Sequence, residues 1–130
     1  MRRLLMDTHV LLWALGAEQM LGNDVRQALT DPRNDVFVSA ASVWEVAIKS
    51  ALGKLRAPEH LAAAVEAAGF TELPVTFIHA EQAGSLPTIH GDPFDRMLVA
   101  QAQIEGLTLV TADANMLRYP VRTMAARDGV

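Results

Sequence analysis

Short apolar runs alternate with longer stretches of helical periodicity along the chain, and this alternation predicts the order of its elements. "RRLLM" (2–6) reads as a buried strand, followed by Asp7-Thr8 and a helix through "VLLWAL". "DVFVS" (35–39) predicts a second strand, and a helix follows from about Ala41 to Lys54. "APEH" predicts the start of a third helix that carries Pro58 in its first turn and ends near Gly69. "ELPVT" (72–76) predicts a short third strand, and residues 79–86 a short helix. Asp92 and Pro93 supply an N-cap acceptor and a first helical residue, opening a helix that Gly106 stops. "LTLVT" (107–111) is the clearest strand; a short helix after Asp113 and a strand at "VRTM" (121–124) complete the pattern.

Strands that alternate with helices imply a parallel sheet covered on both faces, hence an α/β fold. Ligands in such sheets bind beyond the carboxyl ends of the strands. Asp7 lies just past the first strand, and Thr111 and Asp113 lie at or just past the fourth. Polar residues therefore fall where this architecture places an active site.

Composition narrows the function. At 130 residues the chain is expected to be a single domain, 1–130, with one real core. Apolar residues make up 51%, which excludes a disordered chain, whereas aromatics at 5% leave little material for a base-stacking platform. A net charge of −4 argues against a broad basic surface, although bound divalent cations could supply positive charge locally. With no cysteine, disulfides, zinc–thiolate sites and thiol nucleophiles are all excluded. Asp7 and His9 interrupt the apolar N-terminal run, so no signal peptide is expected, and no window approaches a membrane span of ~20 apolar residues. A cytoplasmic protein with no membrane association is the expectation.

Four carboxylates then call for an explanation. Asp7 and Asp113 would each serve as an N-cap. Asp95 is different: at 100° per residue Leu98, Val99 and Ala102 lie within about 60° of it, so it heads an apolar stripe. On "SVWEVAIKSALGKL", Trp44, Ile48, Ala51 and Leu55 form one apolar face that Val43, Val46 and Ala47 extend, leaving a polar strip of Ser42, Glu45 and Lys49. Glu45 can make a surface i,i+4 pair with Lys49, or be aimed into a cleft. Three helices thus start or run beside strand ends, and each brings a carboxylate there. Several carboxylates in one pocket repel unless cations neutralise them. All-oxygen ligation favours Mg²⁺ or Mn²⁺ over zinc. The chemistry such metals support is phosphodiester hydrolysis. His9, His60, His79 and His90 show no ligand spacing and are expected at the surface or in caps. Neither G-x-S-x-G, a P-loop nor G-x-G-x-x-G occurs.

Three segments in order, "LLMDTHVLLWAL", "SAASVWEVAIKSALGKL" and "HGDPFDRMLVAQAQIEGLTLVTAD", resemble the PIN-domain ribonucleases, in the branch of VapC-type toxins of type II toxin–antitoxin systems. The resemblance implies a three-layer α/β/α sandwich around a central, mainly parallel sheet, and an endoribonuclease dependent on Mg²⁺ or Mn²⁺. It further implies that Asp7 and Asp95 ligate the metal, that Glu45 and Asp113 complete the acidic site, and that Thr111 is the neighbouring hydroxyl. Asp92 is expected only as an N-cap. The implied partners are substrate RNA, a cognate VapB-type antitoxin and a second copy of the chain in a homodimer. From the residues, a dimer has only Met97, Ala100 and Ile104 behind it, a second apolar face of the helix after Asp95. A nuclease of the same fold acting on DNA or structured RNA, and a catalytically silent binding module, stay open. A phosphatase with an aspartyl nucleophile would want a second aspartate at position 9, where this chain has histidine.

Overall fold

The computed structural model describes residues 1–127. Five strands, β1 (Arg3–Met6), β2 (Asp35–Ser39), β3 (Thr71–Leu73), β4 (Thr108–Thr111) and β5 (Thr123–Ala125), form one sheet in the order β3-β2-β1-β4-β5. Every pairing is parallel. Successive crossovers carry the chain outward on one side of β1 and then back to its other side. The strand order therefore reverses between β1 and β4, and a crevice opens beyond their carboxyl ends.

Six α-helices accompany the sheet: α1 (Thr8–Gly16), α2 (Asn23–Thr30), α3 (Ala40–Ala51), α4 (Leu61–Ala67), α5 (Phe77–Ser85) and α6 (Pro93–Glu105). Leu4, Met6, Val36, Val38 and Val110 pack on one face against Val10, Leu11, Val25, Leu29, Leu61 and Val65. Leu5 and Leu109 pack on the other face against Ala83, Leu98, Val99 and Ala102. Burial on both faces explains why the strands read as continuous apolar runs and not as alternation. The expected α/β/α layering with a parallel sheet is what forms.

Several boundaries differ from the sequence expectation. The helix expected from "APEH" starts only at Leu61, because Pro58, Glu59 and His60 are exposed and give a first turn nothing to bury. The helix expected to reach Lys54 ends at Ala51, before Gly53 turns the chain at φ 71°. Pro74, which has no N–H to give a ladder, limits β3 to three residues. The short helix after Asp113 is a single 3₁₀ turn, Met116–Arg118, and the last strand starts two residues later than expected and ends one residue later. Helix α2 and a 3₁₀ turn at Glu18–Met20 had no counterpart in the expected pattern.

The opening of α6 matches its sequence. The Asp92 side chain accepts from the N–H groups of Phe94 and Asp95, Pro93 follows, and Gly106 closes the helix in the left-handed region at φ 68°. Its second apolar face is covered only in part, with Met97 half-buried and Ile104 exposed. Ala100 is fully buried beneath α5, whose Gln82 donates to Gln103 at 2.8 Å. No helix among the described residues is long and apolar enough to cross a membrane.

Candidate functional site

Asp7 is placed by the sheet itself. Its N–H extends the β1–β4 ladder by donating to the Val110 carbonyl at 3.0 Å, and its side chain then caps α1. One carboxylate oxygen accepts from the Val10 N–H at 2.8 Å, and the other from the Thr111 hydroxyl at 2.5 Å. Burial pushes the Asp7 pKa up, against the opposing pull of the Thr111 and Val10 hydrogen bonds. Thr111 is itself fully buried and also accepts the Asp113 N–H at 3.0 Å, so one hydroxyl ties the ends of β1 and β4 together.

Glu45 comes from α3, and it faces inward. The polar strip of that helix, Ser42, Glu45 and Lys49, turns toward the crevice, with Ser42 and Glu45 buried, while Trp44 is 63% exposed. The apolar face that would ordinarily enter a core lies partly in solvent, where Trp44 meets Phe94 edge-on at 5.4 Å. Glu45 is both buried and paired. Lys49 Nζ donates to Oε2 at 2.5 Å, and the Thr8 hydroxyl to Oε1 at 2.6 Å. Glu45 holds the Lys49 pKa above its usual value, chiefly through that hydrogen bond.

Asp95 sits in the first turn of α6, above the buried residues Leu98, Val99 and Ala102. Its pKa is pushed up to about 7 by burial first and then by Asp92, with Glu45 and Asp7 adding to the rise and His90 opposing it. Asp113 follows β4, and one of its oxygens accepts the Asn115 N–H at 2.8 Å.

His90 joins the last two. Its Nε2 lies 2.9 Å from Asp95 and 3.2 Å from Asp113. Its Nδ1 accepts the Asp92 N–H at 3.3 Å, so Nε2 carries the proton and donates to the two carboxylates. The sequence expectation placed all four histidines in caps or at the surface, and His90 corrects it. No spacing rule reveals a histidine that reaches the site from the loop before a helix. His79 caps α5 as expected, from a buried position (1% exposed) where it faces Glu105.

Asp7, Glu45, Asp95 and Asp113 thus line one cleft of about 430 Å³, with Thr111 behind Asp7. Asp92, expected only as a cap, lines it too, as do Thr8, His9, Trp13, Lys49 and Arg127. A cleft of about 690 Å³ between β2 and α4 is larger, but among side chains such as Val38, Val43, Ala62 and Val65 it has only Glu66 and Glu72 as ionisable groups. Ligand atoms of His90, Asp95 and Asp113 all lie within 4.8 Å of one another, so the two carboxylates that His90 bridges are close enough to share one metal ion. Five carboxylates against two fixed cations, all with oxygen donors, suit a hard divalent cation of the Mg²⁺ or Mn²⁺ class.

The PIN domain family model matches residues 4–121. Ribonuclease VapC16 of Mycobacterium tuberculosis is 51% identical over 37 residues, which make up 28% of this chain and 26% of that relative. The match therefore spans about a quarter of the relative's length. The crystal structure of VapBC2 from Rickettsia felis, bound to a DNA fragment from its promoter, superposes with a TM-score of 0.69 at 16% identity, covering 95% of this chain and 98% of that one. DNA-bound VapBC from Salmonella typhimurium gives 0.69 at 20% identity, covering 96% and 98%. At such identities these structures establish the fold.

Proposed function

This chain belongs to the PIN-domain family, and we propose that it is an endoribonuclease dependent on Mg²⁺ or Mn²⁺, acting as the toxin of a toxin–antitoxin pair. The observation that carries the reading is the gathering of Asp7, Glu45, Asp92, Asp95 and Asp113 in one cleft where the strand order reverses. Structure alone gives such a concentration of charge no reward. Asp95, held near pH 7 partly by its acidic neighbours, records the cost.

In this reading Asp7 and Asp95 hold the metal, with Asp113 beside them. A divalent cation, when bound, stabilises charge on the phosphate oxygens and makes water a better nucleophile. The chain's own groups prepare the site. Thr111 donates to Asp7 and favours its ionised form, countering burial. Thr8 and Lys49 fix Glu45 by one hydrogen bond to each oxygen, which sets its direction. His90 holds Asp95 and Asp113 toward each other from the outer side of the cleft.

The partner in this reading is a VapB-type antitoxin, supported by the VapBC complexes among the structural neighbours. A homodimer belongs to the same proposal. Since α5 covers Ala100 of α6, the apolar surface available for it includes Trp44, Leu52, Phe77 and Ile78, all exposed. The test is cleavage of single-stranded RNA and of DNA of the same sequence, with Mg²⁺, Mn²⁺ or EDTA. RNA cut in either metal and spared in EDTA is the expected result. Undiminished cleavage in EDTA overturns the metal-dependent reading, and cleavage of DNA alone overturns the ribonuclease one.

A further inference from the structure

The mouth of the acidic cleft carries a cation that the proposed chemistry leaves unused. Strand β5 ends at Ala125, and Ala126 is fully buried and pinned on both sides: its N–H donates to the Thr111 carbonyl, and its carbonyl accepts the Gly22 N–H, each at 2.9 Å. The next residue, Arg127, therefore leaves the sheet edge at a fixed point beside the threonine that holds Asp7. Its side chain is exposed, lines the cleft, and lays its guanidinium carbon 5.6 Å from the centre of the Trp13 ring. A cation over an indole face is held there by the ring's quadrupole. Lys49, the other fixed cation of the cleft, is committed to Glu45. Arg127 makes no ion pair among the described residues.

We propose that Arg127 is a substrate-positioning residue that grips an RNA backbone phosphate flanking the scissile one. The inference rests on the ribonuclease reading above and adds a residue to it. A planar guanidinium matches phosphate oxygens bidentately, whereas a lysine ammonium acts as a point charge. Trp13 holds the group at the rim, where it meets the strand outside the metal-binding carboxylates. It thus supplies at one point the positive charge that a chain of net charge −4 lacks overall.

A single phosphate contact has its own signature. Each contact with single-stranded nucleic acid contributes about 0.7 to the negative slope of log affinity against log salt concentration, by counterion release. The experiment compares the wild type with Arg127→Ala and Arg127→Lys on a short single-stranded oligoribonucleotide, at fixed Mg²⁺ and varied KCl. Arg127→Ala should raise KM roughly tenfold, with a much smaller fall in kcat, and should flatten the salt slope by about 0.7. Arg127→Lys keeps the charge, so it should keep the slope and recover part of the loss in KM. An Arg127→Ala enzyme with wild-type KM and slope overturns the inference while leaving the ribonuclease reading intact. So does a loss confined to kcat, which places Arg127 in the chemistry or the fold. A wild type that cuts no RNA overturns both.

Discussion

Replacing Asp95 by asparagine should make the metal-free protein more stable at neutral pH, although it removes a carboxylate from the first turn of a helix. The carboxyl pKa stands at about 7 in the folded chain against 3.8 for an aspartate in water. Because it is raised on folding, the folded state binds protons more readily than the unfolded one between these values. Stability is therefore fully present below the lower value and falls as pH rises through about 7. At roughly 1.36 kcal/mol per pH unit the whole interval corresponds to about 4 kcal/mol. Solvent reaches the side chain, which is 18% exposed, and Asp92 shares the repulsion, so about half, ~2 kcal/mol, is expected. Asparagine cannot ionise, can still accept from His90, and forfeits only ~0.3–1 kcal/mol of favourable dipole interaction. The variant should then exceed the wild type by about 1–2 kcal/mol at pH 8, with most of the gain gone by pH 4. Urea denaturation of both proteins in EDTA across pH 4–8 measures the difference, in which the contribution of Asp7 largely cancels. A variant less stable than wild type throughout, with a parallel pH dependence, would return Asp95 to the role of a helix-start residue and refute the crowding argument.

Other residues give independent checks. Thr111→Val removes the donor at 2.5 Å from Asp7, which should raise the Asp7 pKa further and move the acidic limb of the pH–rate profile to higher pH; an unmoved limb counts against Asp7 as an essential carboxylate. Glu45→Gln should lower kcat on the order of 10²-fold with an unchanged circular dichroism spectrum, since glutamine keeps the shape that Thr8 and Lys49 enclose. Gly106→Ala is a control far from the cleft: no heavy atom lies within 4 Å of the added methyl group, so the expected loss of about 1 kcal/mol is backbone strain at φ 68° alone, with kcat unaffected.

The strands and the two helix starts nearest the site are legible in the sequence because local chemistry and tertiary packing agree there. "DVFVS" is a strand over its whole length, and Asp92, Pro93 and Gly106 bound α6 as capping preferences require. "APEH" shows the opposite case: Pro58 is a start signal, but with no apolar residue to anchor a first turn it lies in a loop. Helix α2 did announce itself, since Val25, Ala28 and Leu29 are spaced i, i+3, i+4 and all are buried; the polar Asn23, Asp24 and Arg26 around them masked the stripe. The orientation of α3 was hidden for a deeper reason. Amphipathicity assigns the apolar face to the core, yet here the strip with Glu45 faces inward because Thr8 and Lys49 satisfy its carboxylate. Of the site, the residues adjacent to strand ends were readable from topology. His90 was not, because it enters the cleft from the loop before a helix; Thr8 and Arg127 also follow strand ends, but their partners Glu45 and Trp13 come from segments distant in the chain.

A divalent-cation site built from these carboxylates should bind Mn²⁺ in the absence of any RNA. The electron paramagnetic resonance signal of free Mn²⁺, followed while folded protein is titrated in, reports bound metal without reference to any substrate. Wild type should deplete the signal saturably and in competition with Mg²⁺, whereas Asp7→Asn and Asp95→Asn, both folded, should bind at least tenfold more weakly, as expected when a metal site loses a ligand. Equal Mn²⁺ binding by the wild type and both variants would mean that Asp7 and Asp95 hold no metal.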